Sequence, residues 1–334
     1  MQLLKWLEKH PCSAIVILAD SAVWELYDTL FDGLERYASI TLMTIQGGEQ
    51  AKSLETVSAL WKKMLENRID KEALLLNVGG GSVSDAGGLV AATYKRGIRY
   101  INVPTTLLAM VDAATGGKTA INFNGIKNSI GVIALPQEVF ISTLFLQSLP
   151  GEELLNGFAE LLKYALIADS ALWRTVRNLT EINGDTVLPK WIEGAVAFKK
   201  RVVAQDLHDR GVRRCLNFGH TAGHALEAFF YGRAPLTHGH AVALGMAVEA
   251  WLSHFCGSLP RQEAIDIQQF IARFYPFVKL QDSDVQEITA LCLQDKKSSF
   301  GAINCTLLAQ TGHYTVNNSV SSEDMQMALH SVFS

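Results

Sequence analysis

What most constrains the fold is a change of periodicity near Pro150. Before it, short apolar runs alternate with amphipathic stretches. Ala14-Ile15-Val16-Ile17-Leu18, Ile40-Thr41-Leu42-Met43-Thr44-Ile45, Ala73 to Val78 and Tyr100-Ile101-Asn102-Val103 read as strands. Leu54, Val57, Trp61 and Leu65 recur at helical spacing, and a further helix is expected from the Gly79 loop through Lys95. Strands that are apolar throughout have no face to show water, so this alternation predicts an α/β domain: a mainly parallel sheet with helices on both faces. After Leu149-Pro150-Gly151, helical periodicity takes over near 152–168, 188–206, 217–230, 239–255, 261–275 and 283–293. One short strand, Ile303 to Leu308, is expected before a final helix capped by Ser321 or Ser322. The expectation is an α/β domain over 1–150, a mostly α-helical domain over 151–334, and a site in the cleft between them.

Composition removes several functions from consideration. The 334 residues suffice for two well-buried cores, and 49% of them are hydrophobic, which excludes a disordered chain. Lys and Arg total 29 against 33 Asp and Glu, a formal net charge of −4 that gives a nucleic-acid partner no basic surface. The five cysteines, Cys12, Cys215, Cys256, Cys292 and Cys305, are scattered and form no Cys-x-x-Cys pair, as expected in a reducing cytoplasm. The first ten residues lack the apolar core of a signal peptide, and no stretch is apolar enough to span a membrane.

Several motifs bear on chemistry. Gly79-Gly80-Gly81-Ser82-Val83-Ser84-Asp85 follows an apolar strand and opens a helix, where backbone N–H groups and the helix dipole suit a pyrophosphate. It serves equally as a tight strand-to-helix turn, and so does Gly47-Gly48-Glu49-Gln50 after the second strand. Two such loops at strand C-termini favour a nucleotide. Glu160 sits mid-helix beside Leu161 and Leu162, an awkward place for a carboxylate unless it is paired or bound to metal. His220 and His224 share a helix face, and His238-Gly239-His240 follows. One carboxylate with two imidazoles would leave a divalent metal an open position, but spacing does not say which histidines are ligands. Lys118, Lys127 and Asn128 are expected on glycine-rich loops; Lys199, Arg213, Lys296 and Lys297 add cations in the helical half. Alone, each cation is best read as a solvated surface charge, with the glycine-flanked Lys118 and Lys127 as exceptions; converging, they would bind an anion.

Taken in order, the motifs resemble the 3-dehydroquinate synthase family of sugar phosphate cyclases, from about Gly47 to Ala309. They include Gly48-Glu49-x-x-Lys52-Ser53, the Gly79 loop through Asp85, Tyr94-Lys95-Arg96-Gly97, Pro104-Thr105-Thr106 through Asp112, and Gly116-Gly117-Lys118-Thr119. Gly125-x-Lys127-Asn128, Ala159-Glu160-x-x-Lys163-Tyr164, Asn217-x-Gly219-His220-Thr221-x-Gly223-His224, His238-Gly239 and Asp295-Lys296-Lys297 continue the series. The resemblance implies a Rossmann-like, mainly parallel sheet domain that binds NAD, followed by a mostly helical metal- and substrate-binding domain. It implies Zn2+, replaceable by Co2+, on Glu160, His220 and His238. It implies NAD along Glu49, Gln50, Lys52, Gly81, Ser82, Val83, Ser84, Asp85, Thr105, Thr106, Lys118, Lys127, Phe145, Leu146, Gln147 and Ser148. Arg96, Asp112, Lys118, Asn128, Lys163, Lys199, Arg213, Asn217, His224 and Lys296 would serve substrate and catalysis, with Arg96 reaching a second subunit of a homodimer.

The reaction so implied converts 3-deoxy-D-arabino-heptulosonate 7-phosphate into 3-dehydroquinate and phosphate. It proceeds by transient oxidation at C5, phosphate elimination, reduction, ring opening and an intramolecular aldol closure. Three alternatives stay open, the first two being a cyclase acting on a neutral sugar phosphate, which would have no carboxylate for Lys199, Arg213 and Asn217 to bind, and a metal-dependent polyol dehydrogenase, which would release NADH. A non-catalytic relative, a nucleotide-binding or interaction module, is the third, against which the intact ligand types stand. The chain also departs from the family pattern. Ser21-Ala22-Val23 stands where an amide before Val is usual, Gly47 where Asp is common, and Leu207 and Asp209 in place of a more acidic run.

Overall fold

The structure, a computed structural model, describes residues 2–294 and 303–334. It divides into two compact units, one ending at Leu149 and the other running from Pro150 to Ser334.

The first unit contains α1 (Gln2–Lys9), β1 (Ala14–Asp20), α2 (Ser21–Tyr27), β2 (Ser39–Ile45), α3 (Leu54–Glu66), β3 (Leu74–Gly79), α4 (Gly81–Thr93) and β4 (Arg99–Pro104). β5 (Lys118–Phe123), β6 (Ile126–Ile133) and β7 (Glu138–Val139) complete it. Five strands form one parallel sheet in the order β2-β1-β3-β4-β7. In β1 and β3 every residue from Ile15 to Ala19 and from Leu74 to Gly79 is buried, the two-faced burial that their apolar runs require. Val16, Leu18 and Leu75 join Val57, Leu60 and Met64 of α3 and Val90 of α4 in the core. The buried stripe of α3 is shifted from the expected one: Leu54 and Leu65 are exposed, because Ser53 caps the helix and fixes its rotation about Val57, Leu60 and Met64. α4 ends at Thr93, short of Lys95, since Lys95 and Arg96 adopt left-handed backbone (φ 49° and 65°).

Lys118, Lys127 and Asn128 are not on glycine-rich loops. Lys118 opens β5 and the other two lie on β6, its antiparallel partner. Asn124 (φ 49°) and Gly125 (φ 77°) form the two-residue connection, with both central residues left-handed as the favoured hairpin turn demands.

The second unit contains α5 (Gly151–Ala168), α6 (Ser170–Val176), α7 (Pro189–Gln205), α8 (His220–Phe230), α9 (His238–Phe255), α10 (Arg261–Phe274) and α11 (Asp282–Leu293). A hairpin of β8 (Ile303–Gln310) and β9 (His313–Val320) follows, then α12 (Ser322–Phe333), capped by the Ser321 hydroxyl. The expected single strand is thus half of a hairpin. Its partner β9 alternates exposed and half-buried residues and carries few apolar ones, so its periodicity is faint. α9 is buried on all sides from Ala241 to Ser253, the property of a central core helix. α8 packs directly on it: a Cβ at Gly245 would lie 2.0 Å from the Gly219 carbonyl oxygen, so only glycine permits this crossing.

Candidate active site

Glu160 occupies the middle of α5, flanked by the buried Phe158, Ala159, Leu161 and Leu162, and is itself only 3% exposed. An ionised carboxylate so placed costs several kcal/mol unless it is compensated. Compensation comes from three sides. Lys163, one turn along, forms an ion pair with Oε2. His220 Nε2 and His238 Nε2 stand 3.3 and 3.4 Å from Oε1. Yet among the described residues neither oxygen receives a well-directed hydrogen bond. One ligand atom from each of Glu160, His220 and His238 falls within 4.8 Å of the others. A buried carboxylate oxygen facing two imidazole nitrogens suits a three-ligand zinc or cobalt site with a position left for substrate.

Local chain geometry aims each imidazole. His220 is the first residue of α8, behind Gly219 in left-handed backbone (φ 80°), where a Cβ would meet Met246 Cγ at 2.3 Å. His220 Nδ1 lies 3.2 Å from the Phe218 carbonyl, and a proton donated there leaves Nε2 facing Glu160. His238 opens α9 behind the Thr237 cap, with Nδ1 3.6 Å from Glu227. The ring of His224 is centred 5.3 Å from that of His220 and 6.2 Å from that of His238, beside the three but outside the ligand group. His240 turns elsewhere, its Nε2 3.0 Å from the Pro276 carbonyl. The choice among histidines that spacing leaves open is therefore narrowed by geometry.

The cluster is electrostatically divided. Burial, with help from the Lys163 charge, lowers the His220 pKa to about 3 against the pull of Glu160. Burial works against charge on His238 too, but the Glu160 and Glu227 carboxylates outweigh it and raise that pKa to about 9. Burial likewise opposes ionisation of Glu160, and Lys163 and His220 overcome it, holding the carboxyl well below its ordinary value.

Lys163, Lys199 and Arg213 are not the solvated charges that isolated lysines and arginines usually are; all three are buried. Arg213 donates to the Leu207 carbonyl at 2.7 Å. Asp206 folds the preceding loop by accepting from the backbone N–H groups of Arg210, Gly211 and Arg213. Asn217 Nδ2 is buried and has no hydrogen-bond partner among the described residues. Lys296 and Lys297 lie outside the described residues.

The first unit brings the two glycine loops together. Gly48 N donates to Ser82 Oγ at 3.1 Å, and Thr105 N donates to the Gly79 carbonyl at 3.0 Å. α4 starts behind Gly80 with no side-chain cap, and a Cβ on Gly80 would press on Thr106 at 3.1 Å. Thr105 Oγ1 is buried and has no hydrogen-bond partner among the described residues. An uncapped helix start flanked by glycine and an orphaned hydroxyl fits a pyrophosphate-bearing nucleotide. Val83 and Ser84 are buried, and Ser84 Oγ donates back to the Gly80 and Gly81 carbonyls, so these two offer the helix backbone rather than side chains.

Lys52 pairs with Asp85 at 2.7 Å and donates to Asn128 Oδ1. Glu49 accepts from Asn122 Nδ2 at 2.6 Å, and Asn122 Oδ1 accepts from Asn128 N at 2.9 Å. Asn122 is thus a connecting residue that sequence reasoning passed over; the signal was the Asn-Gly turn two residues on, which brings it back beside Asn128. Gln50, Lys118, Lys127 and Arg96 are exposed. Asp112 lies in a single wide helical turn, Ala109–Ala113, whose exit is held by Asn102 Nδ2 donating to the Ala114 carbonyl. Phe145 and Leu146 are buried and Gln147 is exposed, while Ser148 Oγ accepts from Tyr27, a second residue not anticipated.

Comparison with known proteins agrees with these features. The family described as 3-dehydroquinate synthase N-terminal matches residues 42–156, and the one described as 3-dehydroquinate synthase C-terminal matches residues 157–298. A 3-dehydroquinate synthase from Bacillus cereus is 39% identical over 322 residues, 95% of this chain and 88% of its own. One from Parabacteroides distasonis is 36% identical over 318 residues, 94% and 90% of the two chains. Among solved structures, 2-epi-5-epi-valiolone synthase from Streptomyces hygroscopicus, with NAD+ and Zn2+ bound, superimposes with a TM-score of 0.82 at 27% identity, covering 96% of this chain and 91% of that one.

Proposed function

The chain belongs to the 3-dehydroquinate synthase family, and on that premise we propose that it converts 3-deoxy-D-arabino-heptulosonate 7-phosphate into 3-dehydroquinate and phosphate, with NAD and a zinc or cobalt ion. The observation that carries the reading is the buried Glu160 carboxylate, whose Oε1 stands 3.3 and 3.4 Å from two imidazole nitrogens. The first unit would hold NAD at the glycine loops, Lys52, Asp85 and Thr105; Glu160, His220 and His238 of the second would hold the metal. When bound, NAD supplies a hydride acceptor that is regenerated each turnover, and the metal polarises the oxygen on the carbon oxidised.

The chain's own residues have positional and electrostatic tasks. Lys199 and Arg213 would bind the substrate carboxylate. Their burial removes competing water, which strengthens attraction for an anion, and the planar Arg213 fork suits two oxygens at once. Lys118, Asn128, Asn217, His224 and Lys296 would hold the phosphate end, and the orphaned Asn217 amide has a donor to give. His224, beside the ligand group but outside it, offers an imidazole for proton movement. Asp112 and Lys163 would face the substrate, and Lys163 also balances Glu160.

A homodimer is supported by exposed Ile126, Ile130, Val132 and Ile133 along β6, and Arg96 would reach the partner's site from its strained loop. Among the described residues no helix is long and apolar enough to cross a membrane. The absence of a disulfide among the described residues supports a cytoplasmic setting. The test is phosphate release from the acid substrate and from a neutral hexose phosphate, by purified protein with NAD and zinc. Turnover of the acid alone is expected; turnover of the neutral sugar alone would reassign the substrate and leave Lys199 and Arg213 without the carboxylate role.

A further inference from the structure

One buried carboxylate in the second unit takes no part in the ligand set. Glu249 lies on α9 and is fully buried. Its Oε2 accepts from Gly219 N at 2.7 Å, and its Oε1 from Thr221 N at 2.9 Å and Ala222 N at 3.2 Å. These donors belong to the start of α8, which has no side-chain cap of its own. A helix leaves its first four N–H groups without intrahelical partners, and Glu249 satisfies three of those at and around His220. The carboxylate also faces the positive end of the α8 dipole, so the bonds are charge-assisted.

The arrangement couples the two metal-ligand helices. α9 begins at His238, and Glu249 follows about three turns later on the same helix. Through Glu249 it grips the turn on which His220 sits. Ser253, one turn further, donates to the Glu249 carbonyl at 2.6 Å and accepts from Leu308 N at 2.9 Å, fixing that stretch of α9. None of these three bonds to Glu249 comes from His220 itself. What Glu249 sets is the position of the backbone from which the imidazole projects.

We propose that Glu249 is a positioning residue for the metal site: by capping α8 from inside the core it places His220 Nε2 opposite Glu160 and His238. The inference rests on the metal reading above. Its test compares wild type with Glu249→Gln and Leu226→Ala. Leu226 is fully buried on α8 but far from the capped end, so it reports simple destabilisation of the same helix. Zinc affinity of the metal-stripped proteins is measured by competition with a chromophoric chelator, and the visible absorption of the Co2+ forms is recorded.

Glu249→Gln is expected to weaken zinc about 10- to 100-fold, the scale of a lost ligand-orienting contact, and to shift the Co2+ bands. Leu226→Ala is expected to lower thermal stability while leaving affinity and spectrum near wild type. Wild-type affinity and spectrum in Glu249→Gln, or an equal loss in Leu226→Ala, overturn the proposal. If wild type binds no zinc, the metal reading falls first and this inference with it. Should Glu249→Gln not yield folded protein, Glu249→Asp, which keeps the charge but shortens the reach, carries the same comparison.

Discussion

The two units prepare binding in opposite ways. In the first, the nucleotide loops are built from backbone: glycines at Gly48, Gly80 and Gly81, an uncapped helix start, and exposed polar side chains arranged by a hairpin. In the second, the site is built from buried charge: Glu160, Lys163, Lys199 and Arg213, carried on helices and on the loop after α7. Backbone sites cost little to leave empty, because water satisfies their N–H groups. Buried charges must be balanced by one another at all times, so each substitution is felt in the fold as well as in the chemistry.

Breaking the second site should therefore have the largest effects. His220→Ala is expected to abolish stoichiometric zinc and to cut turnover at least about a thousandfold, roughly 4 kcal/mol of lost transition-state stabilisation. Metal analysis with steady-state kinetics checks this, and full metal content in the variant would contradict it. Lys163→Met leaves the buried Glu160 carboxylate short of its closest cation. Denaturant unfolding of the metal-free protein should show a loss of about 3–5 kcal/mol, smaller once zinc supplies positive charge to the same carboxylate.

The first site should yield more gently. Lys52→Met removes the partner of Asp85 and of Asn128, and is expected to weaken NAD about tenfold while zinc content stays unchanged. Loss of zinc in that variant would erase the contrast between the units.

The smallest effect is a proton. In the metal-free protein His238 is protonated below about pH 9, whereas His220 is neutral above about pH 3 and Glu160 is ionised. Zinc uptake at pH 7.5 should release about one proton, all from His238, and the release should fade as pH rises past 9. Calorimetry in buffers of different ionisation enthalpy measures it; no release at pH 7.5 would contradict the assignment.

Legibility in the sequence follows the same division. The parallel sheet was readable because β1 and β3 are apolar on both faces, and most helices of the second unit from their apolar periodicity, while the short α6 was not anticipated. The β5–β6 hairpin was missed although Asn124-Gly125 is a strong hairpin signal; its exposed strand β6 offers no alternation to read. The burial of Glu160 was visible as an acid beside Leu161 and Leu162, but its histidine neighbours come from α8 and α9, and no spacing rule connects three helices. Only the family resemblance singled out Glu160, His220 and His238 together. Asn122 and Glu249 act through contacts 73 and about 30 residues distant in sequence, beyond any local pattern.

The central claim is that one catalyst oxidises and then re-reduces the same carbon while phosphate departs. Substrate carrying deuterium at C5 tests it most directly, with phosphate, NADH and the label in the product all followed. The account predicts stoichiometric phosphate, 3-dehydroquinate that retains the deuterium at the original carbon, and no accumulating NADH. Deuterium lost to the medium, or NADH rising with turnover, would contradict it.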